Sequence, residues 1–579
     1  MTAATADAPA VAVQPRTARP QSWAPSQQPS DDAVHRSTIT LSPVLRWGLV
    51  ALAVLAMLMM LTWPLGYDQG VFASNGDIVA RGGAPYRDAW DVKGPLVFYW
   101  AAATQLLFGR HAWGMRLVDV GIALATAWML WRRLRTVASP NTAVIAAVLW
   151  PVLVAAQTFQ NTAQFDLWIG SAMLGVTLLV TRDEGYRPRD LLLAGGLVGL
   201  ASLVKPIFPV FLAVPGVVVL MRRRGAVAAV VRDLTLLVGG WLVPVAVVLV
   251  ALWAQGALRE AWNVHILYNL RVYAPNSQNS AFPSPSPTKA RVKGLLAYLA
   301  QVQIAILLAP AAAGAVALWR KHPPLAAAVL VWVLGGVGLV VLQNKFWVYQ
   351  WEILFAGLFL LVAAGVSDVA SRTRTSSTPR AAGVMAITTA VVAFAVSAAP
   401  IPGDLTHWLR YVGGRESARA YDNRYAIYSE INPADEEAAA AYLRANTPPG
   451  APFANWTLHG GLAFLAGRPN VTRFHNKREL TKTVQHPMTR AYRREYLERV
   501  RTLRPTYIAV DSLGDVSKEM ADQHQVPSEP RVLEREFPEL AALIAQRYDL
   551  VAHAGEIALY RLRPAPSSGP PAAATTAVH

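Results

Sequence analysis

The sequence contains no cysteine. This absence excludes disulfide bonds, zinc–thiolate and iron–sulfur sites, and a thiol nucleophile. The sequence also lacks a glycine-rich dinucleotide fingerprint after a strand, a Walker-type phosphate loop, an HExxH zinc motif and a GxSxG nucleophile motif. Nucleotide-driven transport and hydrolase chemistry therefore have no support in the sequence.

Charged residues are scarce, at 15% of the chain, whereas hydrophobic residues make up 54% and the mean hydropathy is +0.30. This composition predicts a polytopic α-helical membrane protein. The net charge of +17 lies mainly in short connectors of the membrane part, because the first 44 residues and the part after residue 400 are nearly neutral. We interpret this charge as membrane topology and predict no nucleic-acid partner.

Hydropathy and connector charge together predict about eleven transmembrane helices between a disordered cytoplasmic tail, 1–44, and an extracytoplasmic C-terminal part. The membrane domain covers 45–399. The predicted spans are 45–65, 113–131, 142–159, 167–181, 191–204, 207–221, 234–253, 294–319, 325–342, 351–366 and 381–399. The first span is not followed by the small-residue cleavage site of a secretory signal peptide, so we expect it to remain in the protein.

Two long external loops are predicted, at about 66–113 and 254–294. The apolar run 96–108 is shorter than the roughly 20 residues that a span needs, so we expect an interfacial helix there. If this run crossed the bilayer, the arginines of the next connector would lie outside, against the positive-inside trend. Those arginines are Arg132, Arg133 and Arg135.

Residues 400–563 are expected to form a small extracytoplasmic α/β domain, and 564–579 a disordered tail. The patterns predict helices at 433–446, beginning near Asp435, and at 533–547. They predict strands at 507–510 and 557–560.

The first external loop is dense in ionisable residues beside a membrane span. A charge buried at a lipid boundary is costly unless it is paired or solvated, so this cluster is a functional hypothesis, although an ordinary mixed-charge loop explains the composition equally well. The residues are Asp68, Asp77, Arg81, Arg87, Asp88, Asp91 and Lys93.

The order of features in this loop resembles the GT-C class of membrane glycosyltransferases, glycosyltransferase family 39. The branch in question is similar to protein mannosyltransferases and lipid A aminoarabinose transferases. The resemblance covers about residues 45–205. It is carried by Asp68 after the first span, then Gly82, Gly83, Pro85 and Tyr86, then Asp91, Lys93, Gly94 and Pro95, then Phe108 and Gly109, with Arg116 opening the next span.

The resemblance implies a bacterial cytoplasmic-membrane enzyme that moves a sugar from a polyprenyl-phosphate donor to an extracytoplasmic glycan, lipid or protein. Its general base would be Asp68, and Asp166 would assist from the opposite external turn. Either aspartate also suits helix capping. Many relatives carry a second acid after the first, but this chain has Gln69, so no cofactor is certain and a divalent metal ion stays an open alternative.

Cations are needed to stabilise the departing lipid phosphate, and a lysine or arginine at a span end also suits simple snorkelling to the interface. The candidate phosphate-binding residues are Lys93, Lys205, Lys345 and Arg87. The candidate substrate-binding residues are Tyr86, Asp88, Asp91, His265, Tyr349 and Gln350, although interfacial aromatics explain part of this set equally well. Two other functions stay open: a transporter or flippase of a lipid-linked glycan, and a non-catalytic scaffold for envelope assembly.

Overall fold

A computed structural model describes residues 42–276, 280–375 and 380–564 of the chain. The predicted tails, 1–44 and 564–579, fall almost wholly outside these residues. Helices of the membrane part are α1 Pro43–Met60, α2 Tyr67–Ala80, α3 Pro95–Phe108, α4 Ala112–Val137, α5 Pro140–Ala155, α6 Thr158–Asn161, α7 Phe165–Val180, α8 Pro188–Ser202, α9 Ala213–Arg222, α10 Val227–Ala254, α11 Leu258–Ala261, α12 Pro287–Leu299, α13 Val302–Ala305, α14 Leu308–Lys321, α15 Pro323–Gln343, α16 Phe355–Thr375, α17 Arg380–Ser397 and α18 Pro400–Val412. A π-helix at Trp262–Tyr273 and 3-10 helices at Phe208–Leu212 and Val348–Leu354 connect some of them.

Several helices begin at a Ser-Pro pair. Ser42, Ser139 and Ser286 each accept a hydrogen bond from the backbone N–H three residues later, and a proline follows each serine. The hydroxyl satisfies an N–H group that has no partner inside the helix, and proline lacks the N–H group that would otherwise be unpaired. The starts of α1, α5 and α12 are therefore specified locally by the sequence.

The chain is a multi-pass membrane protein. Within the described residues, six helices are long and apolar enough to cross a bilayer, or seven if the bent pair Ala381–Ser397 and Pro400–Val412 forms one span. Shorter apolar helices lie at Pro95–Phe108, Pro140–Ala155, Phe165–Val180 and Phe208–Arg222. The predicted helix at 96–108 is present as α3, with 14 residues.

One predicted span has a different form. The segment 294–319 was expected to be one continuous helix, but it is divided among α12, α13 and α14. The backbone leaves the helical hydrogen-bonding pattern at Gln301, which has an extended conformation before α13. The apolar and membrane-length segment begins only at Val302. Hydropathy missed this break because the residues on both sides of it are apolar.

Close helix packing in the membrane part depends on glycine. A side chain at Gly195 of α8 would overlap the backbone of Leu237 in α10, and one at Gly240 of α10 would overlap the backbone of Leu192. Small residues let two helix backbones approach where lipid offers no hydrophobic driving force for association. This contact fixes α8, whose C-terminal end precedes Lys205.

After residue 412, helices alternate with a four-stranded sheet. The helices are α19 Ala418–Arg424, α20 Pro433–Asn446, α21 Leu462–Ala466, α22 Arg478–Thr481, α23 Pro487–Leu503, α24 Asp515–Asp522, α25 Glu529–Glu536 and α26 Pro538–Arg547, with a 3-10 turn at Tyr425–Tyr428. The strands are β1 Phe453–Trp456, β2 Tyr507–Asp511, β3 Tyr548–Ala554 and β4 Ile557–Leu562. Their order is β1-β2-β4-β3, with β1 parallel to β2 and the other pairs antiparallel.

The two strands predicted in this part are present as β2 and β4, which pair with each other. The strands β1 and β3 were missed. The helix predicted at 533–547 is two helices, because Pro538 cannot continue a helix and the chain bends at Phe537. The helix α20 begins at Pro433, where the Asn432 side chain accepts a hydrogen bond from Ala434 N.

Candidate functional site

The helix α2 presents Asp68 in its first turn. Gly66 is the residue that precedes the helix, and Asp68 follows two positions later. Its Oδ2 atom accepts a hydrogen bond from Gln164 Nε2 at 3.0 Å and lies 3.5 Å from Lys93 Nζ. The contacts of this carboxylate are thus made with a distant turn and a distant loop, and helix capping does not account for them.

Lys93 is held in place by its backbone. Its N–H donates to Asp91 Oδ1 at 3.0 Å, and its carbonyl accepts from the hydroxyl of Tyr86 at 2.9 Å. The following residue, Gly94, donates its N–H to the carbonyl of Val204 at 2.8 Å. The ammonium of Lys93 is therefore directed by a short, fixed loop rather than by a free side chain.

Burial and charge act together on this loop. Burial raises the pKa of Asp91 to about 7, against the opposing effect of the Lys93 ammonium. For Lys93 itself, burial lowers the pKa, but nearby carboxylates, Asp68 first among them, outweigh burial and raise it above its usual value. Lys93 is consequently a permanent cation at neutral pH.

A second ion pair joins Asp166 to Lys205. Asp166 lies in the first turn of α7, and the Lys205 Nζ atom is 2.7 Å and 2.8 Å from its two carboxylate oxygens. The side chain of Asp166 is 3% exposed and that of Lys205 is 13% exposed. As with Asp68, the carboxylate is committed to a partner outside its own helix.

Tyr349 lies between the two ion pairs. The Lys93 Nζ atom is 5.0 Å from the centre of the Tyr349 ring and 3.5 Å from its hydroxyl oxygen. The Lys205 Nζ atom is 5.7 Å from the centre of the same ring. Three separate parts of the sequence therefore converge on one site, in which two carboxylates and two ammonium groups surround one tyrosine.

The turn that carries Gln164 and Asp166 is fixed by two buried charges of α4. Arg116 donates to Thr162 Oγ1 at 2.8 Å and to the carbonyl of Pro64 at 2.6 Å. Asp119 accepts from Ala163 N at 3.0 Å and from Trp168 Nε1 at 2.7 Å. Both side chains are fully buried. Arg116 thus ties the end of α1 to the turn that faces Asp68.

Gln69 has a structural contact that an acid could not make. Its amide Nε2 donates to the carbonyls of Gln160 and Thr162, at 3.1 Å and 2.5 Å. Within the described residues, no group of three or more His, Asp or Glu side chains is arranged to hold a metal ion. Because Gln69 faces carbonyls and both oxygens of Asp166 receive Lys205, these residues do not form a preassembled divalent site.

Lys345 and Gln350, both predicted near the phosphate or the substrate, have other partners. Lys345 Nζ donates to the carbonyls of Tyr273 and Asn276, at 2.8 Å and 2.7 Å, and burial lowers its pKa to about 8. Gln350 donates to Gln343 Oε1 at 3.1 Å. The structure does not bring either side chain into contact with Asp68 or Lys93.

The remaining predicted residues frame the loop. Arg87 is exposed, pairs with Asp88 at 2.7 Å and donates to the carbonyl of Gln255 at 2.7 Å. Tyr86 is buried, with its ring centre 6.3 Å from that of His265. Burial lowers the pKa of His265 to about 4, so this imidazole is neutral. These residues join the 84–92 loop to the 254–273 segment.

The C-terminal part contributes contacts that the sequence analysis did not identify. The Arg478 guanidinium lies 4.3 Å from the centre of the Tyr67 ring, and Tyr67 OH donates to Asn476 Oδ1 at 2.9 Å. Ser74 Oγ donates to the carbonyl of Gly460 at 2.7 Å. No spacing rule could predict these contacts, because the hydrogen-bonded partners are 386 and 409 residues apart along the chain.

The same interface depends on a glycine of α2. A Cβ atom at Gly70 would lie 2.6 Å from Gly461 N and 3.0 Å from Gly461 Cα, both backbone atoms that cannot rotate away. The 460–461 backbone therefore packs directly on the helix that carries Asp68. Any side chain at Gly70 would push the two apart.

Glu352 is a further buried acid that the sequence analysis missed. It lies in the 3-10 helix after Tyr349, its exposure is 0%, and neither carboxylate oxygen has a hydrogen-bond partner among the described residues. A transporter would be expected to carry charges deep in several helices. Here three of the buried charges lie around the candidate site. Glu352 is in the 3-10 helix that contributes Tyr349, and Arg116 and Asp119 are near the start of α4, beside the turn that carries Asp166.

Comparisons with known proteins agree with this architecture. Residues 92–253 match the family described as dolichyl-phosphate-mannose-protein mannosyltransferase. The crystal structure of ArnT from Cupriavidus metallidurans bound to undecaprenyl phosphate aligns with 89% of this chain and 97% of its own, at 14% identity and a TM-score of 0.50. An archaeal oligosaccharyltransferase, AglB from Archaeoglobus fulgidus, aligns with 90% of this chain and 75% of its own, at 12% identity and a TM-score of 0.48.

No curated protein sequence matches the chain. The structural likeness to ArnT concerns the fold, and the family match covers the segment from Val92, beside Lys93, to the end of α10. Both agree with the class indicated by the first external loop. Residues 92–253 thus match a mannosyltransferase family and the fold is like that of ArnT, so the resemblance to GT-C glycosyltransferases is confirmed.

Proposed function

We propose that this protein transfers a sugar from a polyprenyl-phosphate donor to an extracytoplasmic glycan, lipid or protein acceptor. The single observation that carries the proposal is the contact between Asp68 and Lys93, at 3.5 Å, in a site that also holds Lys205 and Tyr349. It places a carboxylate beside fixed cations, which are the two groups that this reaction requires.

The roles follow from charge. Asp68 accepts the proton of the acceptor hydroxyl while the hydroxyl oxygen forms a bond to the anomeric carbon of the donor sugar. The bond from that carbon to the phosphate oxygen breaks, and its electron pair leaves with the lipid phosphate. Lys93 and Lys205 stabilise the negative charge on the departing phosphate. Because attack and departure occur on opposite faces of the sugar, the configuration inverts.

Asp166 has a positioning role in this scheme. It holds Lys205 through both carboxylate oxygens, and Lys205 in turn lies beside the ring of Tyr349. The buried pair is electrically neutral before the donor binds, which lowers the cost of keeping a lysine at this depth. When a phosphate arrives, the ammonium has a second anion to contact.

The membrane arrangement proposed here retains about eleven spans, in which the shorter helices α5, α7, α8 and α9 add to the seven longer segments and α3 lies at the interface. The tail 1–44 is cytoplasmic, and 400–563 is an extracytoplasmic α/β domain that covers the site. The protein belongs in the bacterial cytoplasmic membrane. Contacts between the C-terminal part and α2 support placing that part on the same side as Asp68.

The test uses the purified full-length protein in lipid nanodiscs with a labelled polyprenyl-phosphate sugar, and follows release of polyprenyl phosphate. Asp68→Asn should reduce release by about 10²-fold to 10⁴-fold, the usual contribution of a general base. The control is Asp549→Asn, at an exposed site on β3. Wild-type protein that releases no polyprenyl phosphate from any donor sugar, or an Asp68→Asn variant with full turnover, would overturn the proposal.

A further inference from the structure

A cleft of about 160 Å³ lies in the C-terminal part, next to the start of α2. Arg478 connects the two: its side chain lines the cleft, and its guanidinium lies 4.3 Å from the ring centre of Tyr67, the residue before Asp68. Arg478 N also donates to Asn476 Oδ1 at 2.9 Å, the atom that accepts from Tyr67 OH. A molecule in this cleft would therefore lie beside the helix turn that presents Asp68.

Four of the five charged residues that line the cleft form two ion pairs, and the fifth is Lys518. Arg478 forms an ion pair with Glu430, and Lys482 Nζ lies 3.6 Å from Asp515 Oδ2. Both acids are largely exposed at the side chain, at 41% and 64%, while the side chains of Arg478 and Lys482 are 15% and 9% exposed. The cleft thus offers three cationic donors, of which Lys518 is exposed, and two carboxylate acceptors.

Uncharged side chains complete the lining. Leu458 is buried and Leu513 is half-buried, and they form an aliphatic part of the wall. Thr481 and Ser517 add hydroxyl groups, each of which both donates and accepts hydrogen bonds. Small-molecule sites combine apolar surface with a few directed polar groups in this way.

This combination distinguishes among ligands. A sugar has hydroxyl groups that donate to Glu430 and Asp515 and accept from Arg478 and Lys482, and its C–H face packs on Leu458. An anionic ligand that contacts Lys518 would also face the carboxylates of Glu430 and Asp515, and this repulsion between like charges is unfavourable. A purely apolar ligand would remove water from the two ion pairs without offering a hydrogen bond in return.

We propose that this cleft is a subsite for a neutral, hydroxyl-rich glycan acceptor. The inference rests on the proposed function, because the cleft lies next to Tyr67, the residue before the proposed base. It goes further by naming the acceptor class and the residues that recognise it. Glu430, Arg478, Lys482 and Asp515 select hydroxyl groups, and Ser517 lies on the wall that a bulky side chain would fill.

The experiment measures two affinities of the full-length protein in nanodiscs by calorimetry. The first probe is a set of neutral oligosaccharides of mannose, glucose and arabinose, with a matched set of oligouronates for comparison. The second probe is undecaprenyl phosphate. The variants are Ser517→Phe, which fills the cleft, and Asp515→Asn, which removes one acceptor charge without changing shape. Asp522→Phe is the matched control, because Asp522 is exposed on the same helix, α24, and does not line the cleft.

We expect the wild type to bind at least one neutral oligosaccharide more tightly than its uronate counterpart. Ser517→Phe should weaken that binding by about tenfold or more, a change of about 1.4 kcal/mol or greater, while Asp522→Phe and all undecaprenyl-phosphate affinities stay unchanged. A preference for uronates, no binding of neutral sugars, or equal losses in Ser517→Phe and Asp522→Phe would overturn the proposal.

The glycan-binding and polyprenyl-phosphate release experiments distinguish failure of the cleft proposal from failure of the proposed function. If glycan binding behaves as expected but no donor sugar releases polyprenyl phosphate, the transferase proposal fails and the glycan site stands. If release depends on Asp68 but neutral glycans do not bind, the cleft proposal alone fails.

Discussion

Lys93 Nζ lies 3.5 Å from Asp68 Oδ2, although most of α2 and the loop 81–92 separate the two residues along the chain. In the absence of donor, the ammonium is thus held by the carboxylate that we propose as the base. A lipid phosphate that binds Lys93 competes with Asp68 for this cation. In the proposed reaction, donor binding would therefore free a carboxylate oxygen of Asp68 to accept the proton of the acceptor hydroxyl.

Lys93→Ala should weaken binding of undecaprenyl phosphate by about tenfold to a hundredfold, because a hydrogen bond to a charged group contributes about 1.5–3 kcal/mol. Affinity for a glycan acceptor should change less. Lys93→Arg should retain part of the donor affinity, since it keeps the charge. Lys289→Ala, at an exposed lysine of α12, is the control. Unchanged donor affinity in Lys93→Ala would remove this lysine from the phosphate site.

Lys205→Met should destabilise the protein by about 3–5 kcal/mol, because it leaves the buried carboxylate of Asp166 without its cation. The double variant Asp166→Asn with Lys205→Met removes both charges and should recover most of the lost stability. It should still be impaired in donor binding. Thermal unfolding of the two variants, followed by donor titration, measures both effects. A double variant as unstable as the single one would contradict the neutral-pair interpretation.

Gln69→Glu should abolish transfer and lower the unfolding temperature. The new carboxylate would face the carbonyls of Gln160 and Thr162, which now accept hydrogen bonds from the Gln69 amide. Gln69→Met, which keeps the length without the charge, should be milder. Measurement of unfolding temperature and of polyprenyl-phosphate release separates these cases. A fully active Gln69→Glu variant would show that this position tolerates the second acid found in many relatives.

Gly70→Ala tests the contact between α2 and the 460–461 backbone. The added methyl group would lie 2.6 Å from a backbone nitrogen, and overpacking of this kind typically costs about 1–3 kcal/mol. Transfer should fall because the helix carrying Asp68 must shift. Gly121→Ala, where a methyl group would meet nothing within 4 Å, is the matched control. Equal behaviour of the two variants would mean that the contact does not matter.

Low pH should lower the stability of the C-terminal part, because the imidazole of His475 becomes protonated on unfolding. This imidazole is fully buried, neither ring nitrogen has a hydrogen-bond partner among the described residues, and burial lowers its pKa to about 4 from 6.5. Between those values the unfolded chain binds more protons, so stability falls as the pH drops from 6.5 towards 4.

At pH 5 this one imidazole should lower the free energy of unfolding by about 2 kcal/mol relative to neutral pH. His475→Leu should therefore reduce the difference in unfolding temperature between pH 7.5 and pH 5. His553→Leu, at an exposed position on β3, is the control. A difference that is the same in wild type and His475→Leu would exclude this source of acid sensitivity.

Local features of the sequence were sufficient for part of this picture. The short helix α3 and the strands β2 and β4 each depend on residues within one segment, so pattern and composition predict them, whereas Asp68 and Lys93 were indicated by the family resemblance. Lys205 and Asp166 were also predicted as site residues, although their direct pairing was not. What joins them is the packing of α8 on α10 and the turn held by Arg116, which no single segment specifies.

The sequence alone did not predict the contacts between distant segments. Arg478 lies in a polar stretch with no distinguishing motif, and Gly460 and Gly461 read as an ordinary turn. Glu352 was hidden because it directly follows the aromatic run 347–351, where a single acid reads as an interfacial residue. Lys345 was placed near the phosphate by its position at a span end, whereas its ammonium is engaged by two backbone carbonyls. Hydropathy gives the depth of a residue but not the direction of its side chain.

The close contact between Gly70 and Gly461 can form only after the C-terminal part has been synthesised. During synthesis, α2 leaves the ribosome hundreds of residues before Gly461. The membrane helices can therefore insert before the 460–461 backbone that packs on α2 has been made. A chain that stops before residue 460 would therefore lack the backbone that packs directly on the helix carrying Asp68.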